Sequence, residues 1–194
     1  ATALATAIGD IELKPKLVIW VSSTSVYGNN QGDWVDEASP TNPTSFSGKL
    51  LLEAEQHIQS LPCAHSIVRF SGIYGPGRTR MLSQIKAGVG RPAKPEQWSN
   101  RIHSEDCAGV LAHLIERFAE KRSVEPLYLA TDCAPVTQHK MRNWLAAQMQ
   151  VELIDETVEQ KSIRRCSNQR LLDSGYEFIF PSYKEGYLAL MADQ

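Results

Sequence analysis

Apolar positions along this chain follow two alternating patterns. Three short apolar runs predict strands: LVIWV at 17–21, SIVRF at 66–70 and LYLAT at 127–131. The first two are continuous enough to predict strands buried on both faces. Apolar residues between and after these runs recur at three- and four-residue steps, which predicts helices over 45–61, 104–118, 137–149 and 182–191. Strands that alternate with helices at this spacing indicate parallel α/β units.

Turn and capping residues mark the boundaries of these elements. Pro62 ends the helix at 45–61, and Ser104 is the predicted N-cap of the next long helix, with acidic residues in its first turn. A short helix is predicted over 81–87. Residues 88–103 are predicted to be a loop because they contain two prolines, and residues 1–8 are predicted to be the end of a helix.

Composition is that of an ordinary globular protein. Hydrophobic residues make up 42% of the 194 residues and charged residues 22%, and the net charge of -2 argues against a nucleic-acid partner. No apolar run is long enough to span a membrane and no signal peptide is visible, so we expect a cytoplasmic protein. The four scattered cysteines predict reduced thiols rather than a disulfide framework or a metal site.

Three stretches carry the candidate chemistry. They are VSSTSVYG at 21–28, EASPTNPTSFSGK at 37–49 and VRFSGIYGP at 68–76. Hydroxyls at the carboxyl end of a parallel strand face the crevice where open α/β sheets bind ligands, although VSSTSVYG alone could be a polar turn. Taken in order, the three stretches resemble the extended short-chain dehydrogenase/reductases, in particular the epimerase/dehydratase branch that acts on sugar nucleotides. NRIHSEDCAGVL at 100–111 and the segment 167–190 resemble later parts of the same family.

The resemblance implies a role for individual residues. Ser23 would hydrogen-bond the reacting oxygen of the substrate, and Lys49 would bind the nicotinamide ribose. The remaining implied contacts are with the cofactor (Ser22, Phe70, Ser71 and Gly72) and with the substrate (Thr24, Arg78 and Arg101). Arg80 could join the arginines on a diphosphate, because guanidinium groups suit bidentate phosphate contacts. Gly72 stands where many relatives have asparagine, and it could serve close cofactor approach or a turn with positive φ.

Ser45 occupies the position of the family's catalytic tyrosine. A nearby lysine makes the tyrosine phenol acidic enough to move protons near neutral pH, but a serine hydroxyl is shorter and far less acidic. Ser45 could instead cap the helix that follows. Tyr27 and Tyr74 are the other phenols near the expected crevice, and His103 with Asp106 is predicted to lock a loop to a helix start.

The glycine-rich turn that holds the dinucleotide in this family has no counterpart here, since neither GxGxxG nor GxxGxxG occurs. The first methionine is Met81. We therefore expect the chain to be the carboxyl-terminal part of a longer protein, with LVIWV left at an open sheet edge. On this hypothesis, the complete protein binds NAD or NADP, whereas this chain binds it weakly or not at all.

The sequence thus predicts a Rossmann-like parallel sheet with flanking helices, without its amino-terminal strands. Residues 1–135 would belong to the NAD(P)-binding domain, with a substrate-loop insertion near 76–103, and residues 136–194 would form a small substrate-binding portion. The predicted function is that of an NAD(P)-dependent epimerase, dehydratase or reductase acting on a nucleotide sugar or a related alcohol or ketone, with activity expected to be impaired because Ser45 replaces the family tyrosine. The alternatives are a non-catalytic dinucleotide-binding sensor or scaffold and, less favoured, a hydrolase using Ser23 or Ser47. A homodimer through the helix at 45–61 is a further expectation from the resemblance.

Overall fold

The computed structural model describes residues 15–28, 32–156 and 164–192. In chain order the strands are β1 (Leu17–Ser23), β2 (Trp34–Val35), β3 (Ala64–Phe70), β4 (Gly72–Tyr74), β5 (Val89–Gly90), β6 (Trp98–Ser99), β7 (Arg101–His103), β8 (Leu127–Ala130), β9 (Val136–Thr137), β10 (Ile154–Asp155) and β11 (Arg165–Cys166). The helices are α1 (Phe46–Gln59), α2 (Arg80–Lys86), α3 (Ser104–Ala119), α4 (Gln138–Met149), α5 (Gln169–Asp173) and α6 (Tyr183–Ala192), and a 3-10 turn spans Thr24–Val26.

The main sheet is parallel, with strand order β1-β3-β8, as the α/β pattern predicts. Successive residues of β3 point to opposite faces: Ile67 packs with Ile58 and Leu61 at the end of α1, whereas Val68 packs with the apolar stripe of α3. Both faces of the sheet are therefore covered by helices, which gives the predicted three layers. All of β3 from Ser66 onward is buried, as the apolar run SIVRF predicts.

A second core forms beyond the main sheet. It joins Tyr74 and residues of α2 to α4 and α6, and its fully buried members include Ile85, Met141 and Leu145. Short strand pairs also connect the segment 72–103 to the carboxyl-terminal part: β6 pairs with β9, and β5 with β10. Residues far apart in the chain thus build one packed unit that stands beside the carboxyl ends of the main strands.

Three details of the sequence prediction are wrong, and one of the two alternatives for Gly72 is excluded. β1 is only partly buried, and Val21 is 49% exposed, because in the described part of the chain β3 is the only strand that pairs with β1. The segment 88–103 contains three short strands rather than a loop. His103, not Ser104, caps α3, since its Nδ1 accepts a hydrogen bond from the amide of Glu105. Gly72 is not among the glycines with positive φ. The helix predicted over 1–8 lies outside the described residues.

None of the helices in the described ranges is long and apolar enough to cross a membrane. The division of the chain near residue 135 stays a prediction.

A buried polar network ties α1 to the main sheet. The Arg69 guanidinium on β3 donates to both carboxylate oxygens of Glu55 on α1, at 3.0 and 2.6 Å, and both side chains are at most 5% exposed. The Ser22 hydroxyl on β1 donates to Glu55 Oε1 at 2.5 Å, and Arg69 also donates to the Tyr27 hydroxyl at 2.8 Å. Each buried charge therefore has an opposite charge and hydrogen bonds, which offset its loss of water.

We expect Glu55→Gln to lower the free energy of unfolding by about 3 kcal/mol, because it leaves the Arg69 guanidinium buried without a countercharge. Urea unfolding measures the change. The matched control is Glu53→Gln on the exposed side of the same helix, which should shift stability by no more than about 0.5 kcal/mol. Equal effects of the two substitutions would contradict the role assigned to the network.

Candidate functional site

The strand ends bring two of the sequence motifs together. In the parallel pairing of β1 with β3, Ser22 lies opposite Arg69 and Ser23 lies opposite Phe70. β1 then turns through the 3-10 segment Thr24–Val26. The carboxyl ends of VSS and VRF therefore lie side by side at one edge of the sheet, where open α/β sheets form their ligand crevices.

The three predicted site residues of the first motif differ in their surroundings. Ser22 is 5% exposed and its hydroxyl is committed to Glu55. Thr24 is 7% exposed, and its carbonyl accepts a hydrogen bond from Arg164 at 2.8 Å. Ser23 is only half-buried, and its Oγ accepts a bond from the amide of Ser25 at 3.1 Å. Of the three, Ser23 retains the best access for contact with a ligand.

The residues after β3 provide a buried hydroxyl at the same edge. Phe70 belongs to the main core, whereas Ser71 follows the strand end with an amide that donates to the carbonyl of Ala130 at 3.0 Å. The Ser71 Oγ is buried and has no hydrogen-bond partner among the described residues. Gly72 is exposed, and a Cβ added there would lie 3.0 Å from the carbonyl oxygen of Asn100. An unsatisfied hydroxyl at a ligand crevice fits a site that completes its hydrogen bonds with a bound molecule.

The start of α1 packs against the turn that follows β1. A Cβ at Gly48 would lie 2.6 Å from the carbonyl oxygen of Ser25, so only glycine permits this contact. Ser45 is the N-cap of α1, and its Oγ accepts a hydrogen bond from the amide of Gly48 at 3.1 Å. Lys49, four residues on, is exposed. The structure therefore brings the Ser45 and Lys49 region to the β1 turn, and it gives the Ser45 hydroxyl a capping bond.

The two other phenols near the expected crevice are buried, and their pKa values are raised. Tyr27 and Tyr74 are each 2% exposed. Burial raises the pKa of Tyr27 to about 12 despite the adjacent Arg69 guanidinium, and its hydroxyl donates to the carbonyl of Asp36. Burial, together with Asp132 and Tyr187, also raises the pKa of Tyr74 well above its usual value. Both phenols therefore stay protonated in the folded protein.

His103 and Asp106 lock a loop to the start of α3, as predicted. Besides capping the helix, the His103 ring packs at 4.1 Å from the Phe180 ring. The Asp106 carboxylate accepts hydrogen bonds from the amides of Ile179 and Phe180 and from the Tyr176 hydroxyl, at 2.8 to 3.0 Å. These contacts fix the segment that leads into α6. Tyr187 on α6 lines a large cavity.

A large cavity of about 940 Å³ lies between β4, α2, α4 and α6. Its wall holds five arginines: Arg78, Arg80, Arg91, Arg101 and Arg142. We call this space the arginine cavity. The predicted substrate residues Arg78 and Arg101 both line it, together with Arg80, whereas Ser23, Ser45, Lys49 and Thr24 do not.

None of the described residues that line the arginine cavity is acidic. Among the described residues, Glu156 is the only carboxylate within 4 Å of any of the five arginines, and it lies 3.3 Å from Arg91. Arg142 is 4% exposed, and burial, together with Arg91 and Arg101, lowers its pKa to about 10. Guanidinium groups that mostly lack a carboxylate partner in a concave site attract an anionic ligand.

Sequence reasoning missed part of this wall. Arg142, Gln138 and Tyr187 lie on helices α4 and α6, far along the chain from the motifs. One signal was present: Arg142 stands beside Met141 and three residues before Leu145, within the apolar stripe of its helix. A charged residue inside an apolar stripe indicates a buried charge with a specific partner.

Comparisons with known proteins agree with this architecture. Residues 3–174 match the family model described as the RmlD substrate binding domain. The YeeZ protein of Escherichia coli K12 is 32% identical over 172 residues, which cover 84% of this chain and 58% of YeeZ. The chain therefore spans less than two thirds of that relative.

Solved structures of other proteins share the fold of this chain. One from Methylobacillus flagellatus, provisionally named an NAD-dependent epimerase/dehydratase, is 40% identical with a TM-score of 0.80, covering 92% of this chain and 64% of that one. The human epimerase family protein SDR39U1, solved with NADPH, is 22% identical with a TM-score of 0.78 and shares the fold over 92% of this chain and 66% of its own.

We expect Ser45→Ala to lower the free energy of unfolding by about 1 kcal/mol, because the amide of Gly48 loses its capping acceptor. Ser45→Asp, whose carboxylate can accept the same bond, should keep the stability of the natural chain. Thermal and urea unfolding of both variants provide the check. Loss of stability in the aspartate variant as well would show that the capping bond is not what Ser45 contributes.

Proposed function

The chain belongs to the RmlD substrate-binding-domain family, within the extended short-chain dehydrogenase/reductases, and we propose on this basis that the complete protein is an NAD(P)-dependent oxidoreductase acting on a nucleotide sugar or a related alcohol or ketone. The observation that carries the proposal is the arginine cavity. It lies next to the crevice at the strand ends, and its volume of about 940 Å³ is ample for a ligand of this size.

In this proposal the arginine cavity binds the diphosphate. Arg78 and Arg80 are exposed at its rim, and Arg101 is half-buried, with its Nε donating to Ser99 Oγ at 2.7 Å. That bond fixes the guanidinium and leaves its other N–H groups for a ligand. Guanidinium forks bind phosphate oxygens in pairs, so arginine suits this task better than lysine.

The strand-end crevice would hold the reacting part of the substrate and the nicotinamide. The buried Ser71 hydroxyl, which has no partner among the described residues, supports a bound group at this place. Ser22 lies near the end of β1, and Lys49 follows Gly48, which packs against the turn after that strand. The nicotinamide supplies or accepts hydride when bound. Ser23 would hold the substrate oxygen by a hydrogen bond, and the Lys49 ammonium would bind the ribose hydroxyls.

Ser45 favours a second candidate function. Its hydroxyl caps α1, and its side chain is too short to take over the family tyrosine's part in proton transfer. Tyr27 and Tyr74 are buried and burial raises the pKa of each, so neither offers the exposed, acidic phenol that the family mechanism uses. A dinucleotide-binding sensor or scaffold with little catalysis would show this arrangement.

We further propose that residues 136–194 act as the smaller substrate-binding portion. Arg142 and Tyr187, which line the arginine cavity, come from it. A cytoplasmic location remains a proposal, and so does a homodimer through α1, which is drawn from the resemblance.

Fluorescence titration with NADH and NADPH tests the cofactor assignment. We expect saturable micromolar binding by the complete protein and weak or no binding by this 194-residue chain, because the chain has no glycine-rich turn for the pyrophosphate. Tight stoichiometric binding by the chain alone would refute the view that a further part of the protein holds the dinucleotide.

Replacing Ser45 by tyrosine separates the two candidate functions. If the site has kept its geometry and lost only its acid/base group, Ser45→Tyr in the complete protein should raise the turnover of a nucleotide sugar by at least about a hundredfold. Ser45→Phe is the matched control, since it adds the ring without the hydroxyl. Strong activity of the natural protein, unchanged by tyrosine, would assign the proton transfer to another residue, and inactivity of all three forms would favour the sensor.

A further inference from the structure

Three residues in the wall of the arginine cavity carry buried polar atoms that have no hydrogen-bond partner among the described residues. Arg142 is 4% exposed, and its two terminal nitrogens donate to the carbonyl of Val89 and to Gln84 Oε1, at 2.9 and 2.7 Å. The remaining Nε–H group is buried without a hydrogen-bond partner among the described residues. The Tyr187 hydroxyl and Gln138 Oε1 are also buried without partners, and both residues line the same cavity.

The hydrogen-bonding character of these atoms indicates which groups a ligand would need in order to bind them. Arg142 Nε and the Tyr187 hydroxyl are donors that require an acceptor, and Gln138 Oε1 is an acceptor that requires a donor. A carboxylate is an acceptor-only group that pairs well with a guanidinium, and a sugar hydroxyl is a donor. A sugar that carries a carboxylate beside its hydroxyls would satisfy all three atoms.

The charge of the cavity supports the same ligand. Each phosphate of a nucleotide sugar carries a single negative charge, and the rim arginines Arg78 and Arg80 with Arg101 can already match both. Arg142 then remains as a buried guanidinium, and in the described ranges no carboxylate lies within 4 Å of it. A buried positive charge without a countercharge is costly, so a ligand that brings one is favoured.

We propose that the arginine cavity selects nucleotide sugars whose sugar is acidic, with Arg142 binding the carboxylate and Gln138 and Tyr187 binding the polar groups beside it. The proposal rests on the proposed function, because it takes this cavity as the nucleotide-sugar site. It adds the substrate class and a residue that determines specificity.

Calorimetric titration with matched pairs of probes tests the proposal on the complete protein with NADP present. One pair is UDP-glucose and UDP-glucuronic acid, and the other is GDP-mannose and GDP-mannuronic acid. Each pair keeps the nucleotide constant and differs at the carboxylate. We expect the acidic member of the better-bound pair to bind at least about tenfold tighter, since a charge-assisted hydrogen bond contributes about this much.

Substitutions of single arginines test which residue causes the preference for the acidic sugar. Arg142→Gln should remove it, bringing the two members of the pair to equal affinity, whereas Arg78→Gln at the rim should weaken both members alike and leave their ratio unchanged. Arg122→Gln, on the surface outside the cavity, is the control that should change neither affinity.

The possible results distinguish this proposal from the proposed function. Equal binding of neutral and acidic sugars by the natural protein overturns the acidic substrate class while the nucleotide-sugar function stands, and it needs no variant to fold. A preference that survives Arg142→Gln in a folded variant overturns the role of Arg142. Failure of all four probes to bind overturns the proposed function and this inference with it.

Discussion

The ion pair between Arg69 and Glu55 is the contact on which the arrangement of the site depends. It joins β3 to α1, and through Ser22 and Tyr27 it also reaches β1 and the turn that follows. Apolar packing between a helix and a sheet allows some sliding, but a bidentate pair of buried charges fixes one relative position. The strand-end crevice and the start of α1 are therefore held in register by a network just beneath them.

Elements whose structure depends on residues close in sequence could be predicted, and elements that depend on residues far along the chain could not. β3 and α1 follow from local pattern, because the run SIVRF and the apolar stripe ending at Ile58 carry their own signals. The prediction that β1 is buried on both faces was wrong, whereas the expectation that LVIWV lies at an open edge agrees with the described residues, in which only β3 pairs with β1. The two-residue strands β5 and β6 also escaped prediction, because their partners stand far along the chain and two residues show no periodicity.

Some parts of the candidate site could also be predicted from the sequence, and others could not. Ser22, Ser23, Phe70 and Ser71 meet at one edge because parallel strands end together, which the order of the motifs implies. Arg78 and Arg101 share a cavity, but the sequence could not show that Arg142 and Tyr187 complete its wall, since that depends on how α4 and α6 pack onto the second core. The capping role of Ser45 was foreseen from its position before a helix, and the structure contains that bond.

The wall of the arginine cavity is assembled from segments as distant in sequence as Ile73 and Tyr187. No one of these segments can hold its guanidinium in place alone, so the binding surface and the second core must form together. An anion that bridges them binds only the folded state, and by mass action it draws the folding equilibrium toward that state. If the cavity binds such an anion, the carboxyl-terminal helices are held to the rest of the chain most firmly when that anion is present.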